Sequence, residues 1–276
     1  MIPTSRLLRP IAVFDSGIGG LPYLLAARAS LPAESFIYVA DRAGFPYGTK
    51  SREKLRDIVI RLVSQIVGIY APKAIVIACN TASQVALEDV RKANPGLAVI
   101  GTVPAVKPAA ERSRSGVIGV MATAGALEDP YLDILVARHA KGIHVLRESA
   151  QELVSFVERR SAFAGEKERR EIVAPYVRHL VDQGADEIVL ACTHFLHLRE
   201  DITAVAGPTV EVIDSRAGVV KRLRQQLSEK GLLESGMDSP VSPGPFVLTG
   251  DEPFEAEYGL LAETFGLANP EPVPRH

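Results

Sequence analysis

Cysteine is almost absent: 276 residues hold two, Cys79 and Cys192. A structural zinc site needs four ligands, usually from closely spaced cysteine pairs, and there are none. His194 and His197 have the spacing H-x-x-H, but with one nearby thiol this is a weak metal signal, and no metal is expected. No stretch is strongly basic and the net charge is −2, so nothing marks a nucleic-acid partner. No apolar run approaches the roughly 20 residues that cross a bilayer, so no membrane partner is expected. The first ten residues, Met1 to Pro10, lack the apolar core of a signal peptide. The expected compartment is therefore the cytoplasm, where thiols stay reduced and a disulfide is not expected. Gly17-Ile18-Gly19-Gly20 is not G-x-G-x-x-G, and no Walker pattern occurs. No lysine stands in an obvious Schiff-base context, which leaves pyridoxal phosphate open on that ground alone. The expectation is an absence of cofactors.

What is present is a full set of core-forming residues: 47% of the chain is hydrophobic, enough to exclude disorder, at a length comfortable for two domains. Each cysteine closes a short apolar run. One is Ala74-Ile75-Val76-Ile77-Ala78-Cys79, followed by Asn80-Thr81. The other is Glu187-Ile188-Val189-Leu190-Ala191-Cys192, followed by Thr193-His194. Continuous β-branched runs read as buried parallel strands. Each thiol then stands where a strand ends, the place where open α/β sheets bind ligands.

The rest of the chain alternates in kind. Ile11–Phe14 and Phe36–Ala40 read as strands, with a helix from Leu21 between them that puts Leu21, Leu24 and Leu25 on one face. Leu55, Ile58, Val59, Leu62, Val63, Ile66, Val67 and Tyr70 form one stripe of a helix that stops before Pro72. Helices are further expected over 81–93, 131–140, 148–160, 168–183, 217–230 and 253–265, with Pro175 inside the fourth of these kinking it or delaying its start. Strands are expected over 98–100, 116–123, 210–213 and 246–249. Residues 234–245 read as a loop, and 269–276, with three prolines, as a loose tail. This alternation is the signature of parallel sheets covered by helices.

The pattern also restarts. Ile118-Gly119-Val120-Met121-Ala122-Thr123 aligns with Ile11-Ala12-Val13-Phe14-Asp15-Ser16. A hydroxyl-bearing turn, then a cysteine, recur in the same order at similar spacing. The fold class read from this is α/β, as two related domains with mostly parallel sheets.

A lone cysteine ending a core strand is more often a small buried hydrophobe than a reagent. Two in matching contexts, both followed by polar residues, point to acid/base chemistry. One thiolate can remove a proton from carbon while a thiol on the opposite side donates one, which inverts a stereocentre. A free thiol titrates near 8.5, so a neighbour must tune it or take its proton, and Asp15 and His194 are the candidates. Ser16, Asn80, Thr81, Thr123 and Thr193 sit at strand-to-helix turns, where backbone N–H groups bind carboxylates.

Four stretches carry a resemblance. Phe14-Asp15-Ser16-Gly17-Ile18-Gly19-Gly20-Leu21, Phe45-Pro46-Tyr47-Gly48, Ala78-Cys79-Asn80-Thr81-Ala82 and Cys192-Thr193-His194 resemble the cofactor-independent glutamate racemases of the aspartate/glutamate racemase superfamily, in order and spacing. The resemblance implies Cys79 and Cys192 as the two acid/base residues, acting on the D- and L-enantiomer respectively, assisted by Asp15 and His194. It implies a glutamate pocket lined by Asp15, Ser16, Pro46, Tyr47, Gly48, Asn80, Thr81, Thr123, Thr193 and His194, with Glu158 close by. It further implies a site in the cleft between two domains, 1–102 with 215–276 and 103–214, a homodimer, and a role supplying D-glutamate to peptidoglycan. Two departures stand out. Phe195 and Leu196 replace the family's Tyr-Pro after Cys-Thr-His. Ala126 replaces the second threonine of Ala-Thr-x-Gly-Thr, with Asp129 about where a serine is usual. The lost hydroxyl leaves aspartate or another amino acid open as substrate. A dithiol redox protein or a non-catalytic amino-acid-binding protein are the readings from other classes.

Overall fold

The computed structural model describes residues 9–234 and 243–274. Residues 1–8, 235–242 and 275–276 lie outside it, and with them parts of the leader, loop and tail readings. The chain divides into two compact units, Met1–Thr102 with Arg216–His276, and Val103–Ser215.

The first unit opens with β1 (Ile11–Asp15), α1 (Leu21–Ser30), β2 (Phe36–Ala40), α2 (Arg52–Tyr70), β3 (Ala74–Ile77), α3 (Asn80–Ala93) and β4 (Ala98–Gly101). The second runs α4 (Val106–Arg112), β5 (Val117–Ala122), α5 (Ala124–Glu128), α6 (Pro130–His139), β6 (His144–Ser149), α7 (Gln151–Arg159), α8 (Glu166–Asp182), β7 (Glu187–Leu190), α9 (Arg199–Ala206) and β8 (Glu211–Ile213). The chain then returns to the first unit through α10 (Arg216–Glu229), β9 (Phe246–Leu248), α11 (Ala256–Thr264) and β10 (Glu271–Pro272).

All strands pair in parallel. The first sheet has the order β10-β9-β2-β1-β3-β4 and the second β6-β5-β7-β8. Strands β2-β1-β3-β4 and β6-β5-β7-β8 are therefore one arrangement used twice, with β1 matching β5 and β3 matching β7. In each, the chain leaves the central strand to one side and returns on the other. The reversal opens a crevice beyond the carboxyl ends of β1 and β3, and likewise of β5 and β7.

Local sequence explains the elements. Ser51 caps α2 by accepting from the Lys54 N–H, and Ala71, at φ 43°, ends it just before Pro72. The helix buries Leu55, Val59, Leu62, Val63 and Ile66, each contributing about 1.5–3 kcal/mol relative to exposure. The glycine turn after β1 is required sterically. A Cβ on Gly20 would stand 2.9 Å from both the Ala78 Cβ and the Tyr38 hydroxyl, and 3.0 Å from the Asp15 Cβ. Only glycine lets α1 begin this close to the ends of β1 and β3.

Three contacts tie the chain just beyond α10 to the rest of the first unit. Lys73, just before β3, is buried with its Nζ 2.6 Å from Glu34 Oε2. It also donates to the Leu232 carbonyl at 2.9 Å and to Glu234 Oε1 at 3.1 Å, while the Glu234 N–H donates to Glu34 Oε1 at 2.9 Å.

The structure corrects the sequence reading in several places. Residues 144–149 form the strand β6, so the helix expected from 148 begins at Gln151. As an edge strand only partly covered, β6 carries no continuous apolar run. The tail is not wholly loose, since Glu271–Pro272 pairs with β9. Leu25 does not share the buried face of α1 with Leu21 and Leu24 but is 46% exposed. Helix α8 runs through Pro175. The short helices α4 and α5 were not expected from the pattern.

Candidate active site

In the first unit, Asp15 ends β1 and Ser16 begins the turn after it; both are buried. Cys79 follows β3 and caps α3. Its Sγ accepts from the Ala82 N–H at 3.5 Å, so negative charge on this sulfur faces the positive end of a fourteen-residue helix. Asn80, the first residue of α3, is buried, and both polar atoms of its carboxamide lack a hydrogen-bonding partner among the described residues. Leaving such a group unsatisfied costs about 1–3 kcal/mol. Thr81 follows it in the first turn of α3.

The loop after β2 supplies Pro46, Tyr47 and Gly48. Phe45–Pro46 is a cis peptide and Tyr47–Thr49 a 3₁₀ turn. The Tyr47 ring is buried edge-on against Phe14, with centroids 6.3 Å apart. Its hydroxyl donates to Asp41 Oδ2 at 2.6 Å. Burial, Asp41, Cys79 and Asp15, in that sequence with a hydrogen bond to Asp41 as well, raise the phenol well above its usual range and keep it a donor. Asp15, Tyr47 and Cys79 thus share one electrostatic environment.

In the second unit, Thr123 follows β5 and caps α5, its Oγ1 accepting from the Ala126 N–H at 3.4 Å. Ala126 is buried beside it, and Asp129 caps α6 by accepting from the Tyr131 N–H at 2.9 Å. Cys192 follows β7 and leads into the 3₁₀ turn Thr193–Leu198. The His194 ring is buried with Nδ1 3.9 Å from Cys192 Sγ and 3.5 Å from Thr193 Oγ1. Its Nε2 lies 2.9 Å from Glu158 Oε2, on α7. Burial opposes the imidazolium, but hydrogen bonds to Cys192 and Glu158 outweigh it and hold His194 well above the usual histidine range. As an imidazolium it donates from both nitrogens, one toward the sulfur and one to the carboxylate.

That arrangement sets a pH dependence. With its folded-state pKa raised, charged His194 stabilises the fold fully below the unfolded value of about 6.5. The contribution is lost as pH climbs through the raised folded value. Glu158→Gln removes the charge that holds this proton. Histidine NMR should then place the His194 titration lower than in the wild type; an unmoved titration would sink the account.

Each unit therefore brings its own candidates together: Asp15, Ser16, Tyr47, Cys79 and Asn80 in the first, and Thr123, Cys192, Thr193, His194 and Glu158 in the second. His197 lies on the same 3₁₀ turn as His194. Among the described residues no group of three or more His, Cys, Asp and Glu side chains could hold a metal ion, and no helix is long and apolar enough to cross a membrane. Sequence reasoning missed Asp41 as a site residue. Its signal was an acid ending a strand before a Gly/Pro-marked loop. Asp41 also accepts from the Gly44 N–H at 3.3 Å, and a Cβ on Gly44 would overlap its Oδ2 at 2.0 Å.

Comparison with known proteins bears on this geometry. Residues 24–223 match the family model described as Asp/Glu/Hydantoin racemase. The chain is 46% identical over 218 residues to a glutamate racemase of Sphingopyxis alaskensis, covering 78% of this chain and 80% of that one. It is 40% identical over 227 residues to a glutamate racemase of Roseiflexus sp. (strain RS-1), covering 82% of each. In structure it is similar to Escherichia coli glutamate racemase in complex with L-glutamate and the activator UDP-MurNAc-ala. There the TM-score is 0.83 and the identity 29%, over 96% of this chain and 98% of that one. With these matches spanning most of its length, the chain belongs to the Asp/Glu/Hydantoin racemase family.

Proposed function

We propose that the protein interconverts L- and D-glutamate by two-thiol acid/base chemistry without a cofactor. The observation that carries this is the repeated placement of a buried cysteine beyond the equivalent strands, β3 and β7, of two sheets with the same strand order. A single thiol could only remove and return a proton on one face. Two allow inversion. The thiolate on one side takes the α-proton, breaking C–H and forming S–H. The thiol on the other side gives its proton to the carbanion, breaking S–H and forming C–H. The product leaves with the opposite configuration and the two sulfurs exchange protonation states.

Cys79 is assigned to the D-enantiomer and Cys192 to the L-enantiomer. Asp15 assists the first and His194 the second. Ser16, Pro46, Tyr47, Gly48, Asn80, Thr81, Thr123 and Thr193 hold the substrate, Asn80 with a buried carboxamide suited to a carboxylate or ammonium. Glu158 holds the His194 proton. Glutamate as substrate is supported by the named relatives in Sphingopyxis and Roseiflexus and by the Escherichia coli enzyme bound to L-glutamate. The reading places the enzyme in the cytoplasm as a homodimer, supplying D-glutamate for peptidoglycan.

The test is circular dichroism of the purified protein with L-glutamate and, in parallel, D-glutamate, under reducing conditions and without added cofactor. Optical activity should decay from both sides. No change with glutamate but decay with L-aspartate would move the substrate. No change with any amino acid would overturn the racemase reading.

A further inference from the structure

The first unit carries a segment, residues 243–274, that lies outside the stretch matched by the family model. It adds β9 and β10 to the β2 edge of the sheet. Immediately after β9 it grips the loop that presents Tyr47. The half-buried Thr249 hydroxyl donates to Asp41 Oδ1 at 2.6 Å and accepts from the Ala43 N–H at 2.9 Å. Arg42 reinforces the grip from the loop side. It pairs with Glu255 through two bonds of 2.7 and 3.0 Å, reaches the Asp251 carbonyl at 3.5 Å, and lies over the Phe254 ring at 5.7 Å from its centroid.

The division of labour on Asp41 is specific. Oδ1 receives Thr249 and the Gly44 N–H, which leaves Oδ2 for the Tyr47 phenol. A carboxylate free to rotate about its Cβ–Cγ bond would not hold the phenol in one place. From this geometry we infer that Thr249 is a positioning residue. It locks the Asp41 carboxylate, and through it Tyr47 and the adjoining Gly48, beside Cys79. This rests on the racemase reading for its kinetic consequence, but the contact itself does not depend on the substrate.

Thr249→Val keeps the shape and removes the hydroxyl; Thr249→Ser keeps the hydroxyl. Thr249→Val is expected to lower kcat/KM about tenfold. For Thr249→Val the loss should fall mainly on KM and equally on both directions, because the loop holds both enantiomers. Thr249→Ser should restore it. A merely structural defect would lower the active fraction, and so kcat, at unchanged KM. A KM within twofold of wild type in Thr249→Val, or no rescue by serine, overturns the proposal. Should the wild type turn over no glutamate, the racemase reading fails and hydrogen exchange decides the positioning claim. Faster exchange of the amides of residues 43–48 in Thr249→Val, reversed in Thr249→Ser, supports it; unchanged exchange overturns it.

Discussion

Replacing either Cys79 or Cys192 with alanine is expected to abolish racemisation, with turnover falling about 10⁴-fold in each single variant. General acid–base residues contribute about 10²–10⁴-fold, and here the upper end applies because each thiol serves as base in one direction and acid in the other. Inversion needs both steps, so the surviving thiol cannot compensate and the double variant should lose little more. The fold should tolerate the change, since both sulfurs are small buried groups just beyond the ends of their strands. Circular dichroism with each enantiomer measures the loss, and far-ultraviolet spectra check the fold. Turnover within about tenfold of wild type in either single variant would falsify the two-thiol assignment.

The second large effect concerns stability. Lys73→Met leaves Glu34 buried without its cation, and removing one partner of a buried pair costs about 3–5 kcal/mol. The position amplifies the consequence: the same ammonium holds the Leu232 carbonyl and Glu234 at the end of α10. Glu34→Gln should cost a comparable amount. Glu234→Gln should cost under about 1 kcal/mol, because that side chain is 58% exposed and its attraction is screened by water. The double change Lys73→Met with Glu34→Leu should recover most of the loss, as apolar replacement of a whole buried pair is often neutral. Urea unfolding midpoints of the four variants decide the matter. A Lys73→Met protein within about 1 kcal/mol of wild type would show the pair to be dispensable.

Much of this fold could be read in the sequence because parallel strands buried on both faces announce themselves as short β-branched runs. Phe36–Ala40 emerged with its observed bounds, and the helix at Arg52–Tyr70 was evident from its stripe. What failed was whatever depends on a neighbour rather than on the segment itself. His144–Ser149 is a strand because β5 lies beside it, not because its own residues, partly covered without a regular alternation, call for one. Glu271–Pro272 is a strand only because β9 offers a free edge. Leu25 has the spacing of a core residue on a helix whose buried face lies elsewhere.

The candidate site divides the same way. Cys79, Asn80, Cys192 and His194 were legible because each stands within four residues of a buried strand's end. Glu158 was suggested by family resemblance, and its bond to His194 is a contact across 36 residues. Asp41 and Thr249 form a pair 208 residues apart in the chain, and no local pattern in a threonine after a three-residue strand announces it.

The two sheets share a strand order yet support their sulfurs by different means. Around Cys79 the support includes the peptide dipoles of α3, which have no proton to lose and act whenever that helix is folded, beside the Asp15 carboxylate. Around Cys192 it is an imidazolium, whose help lasts only while Glu158 and the sulfur keep the ring charged. A rise in the alkalinity of the surroundings therefore withdraws the second support while leaving the dipoles of the first in place, so two sheets of one strand order respond differently.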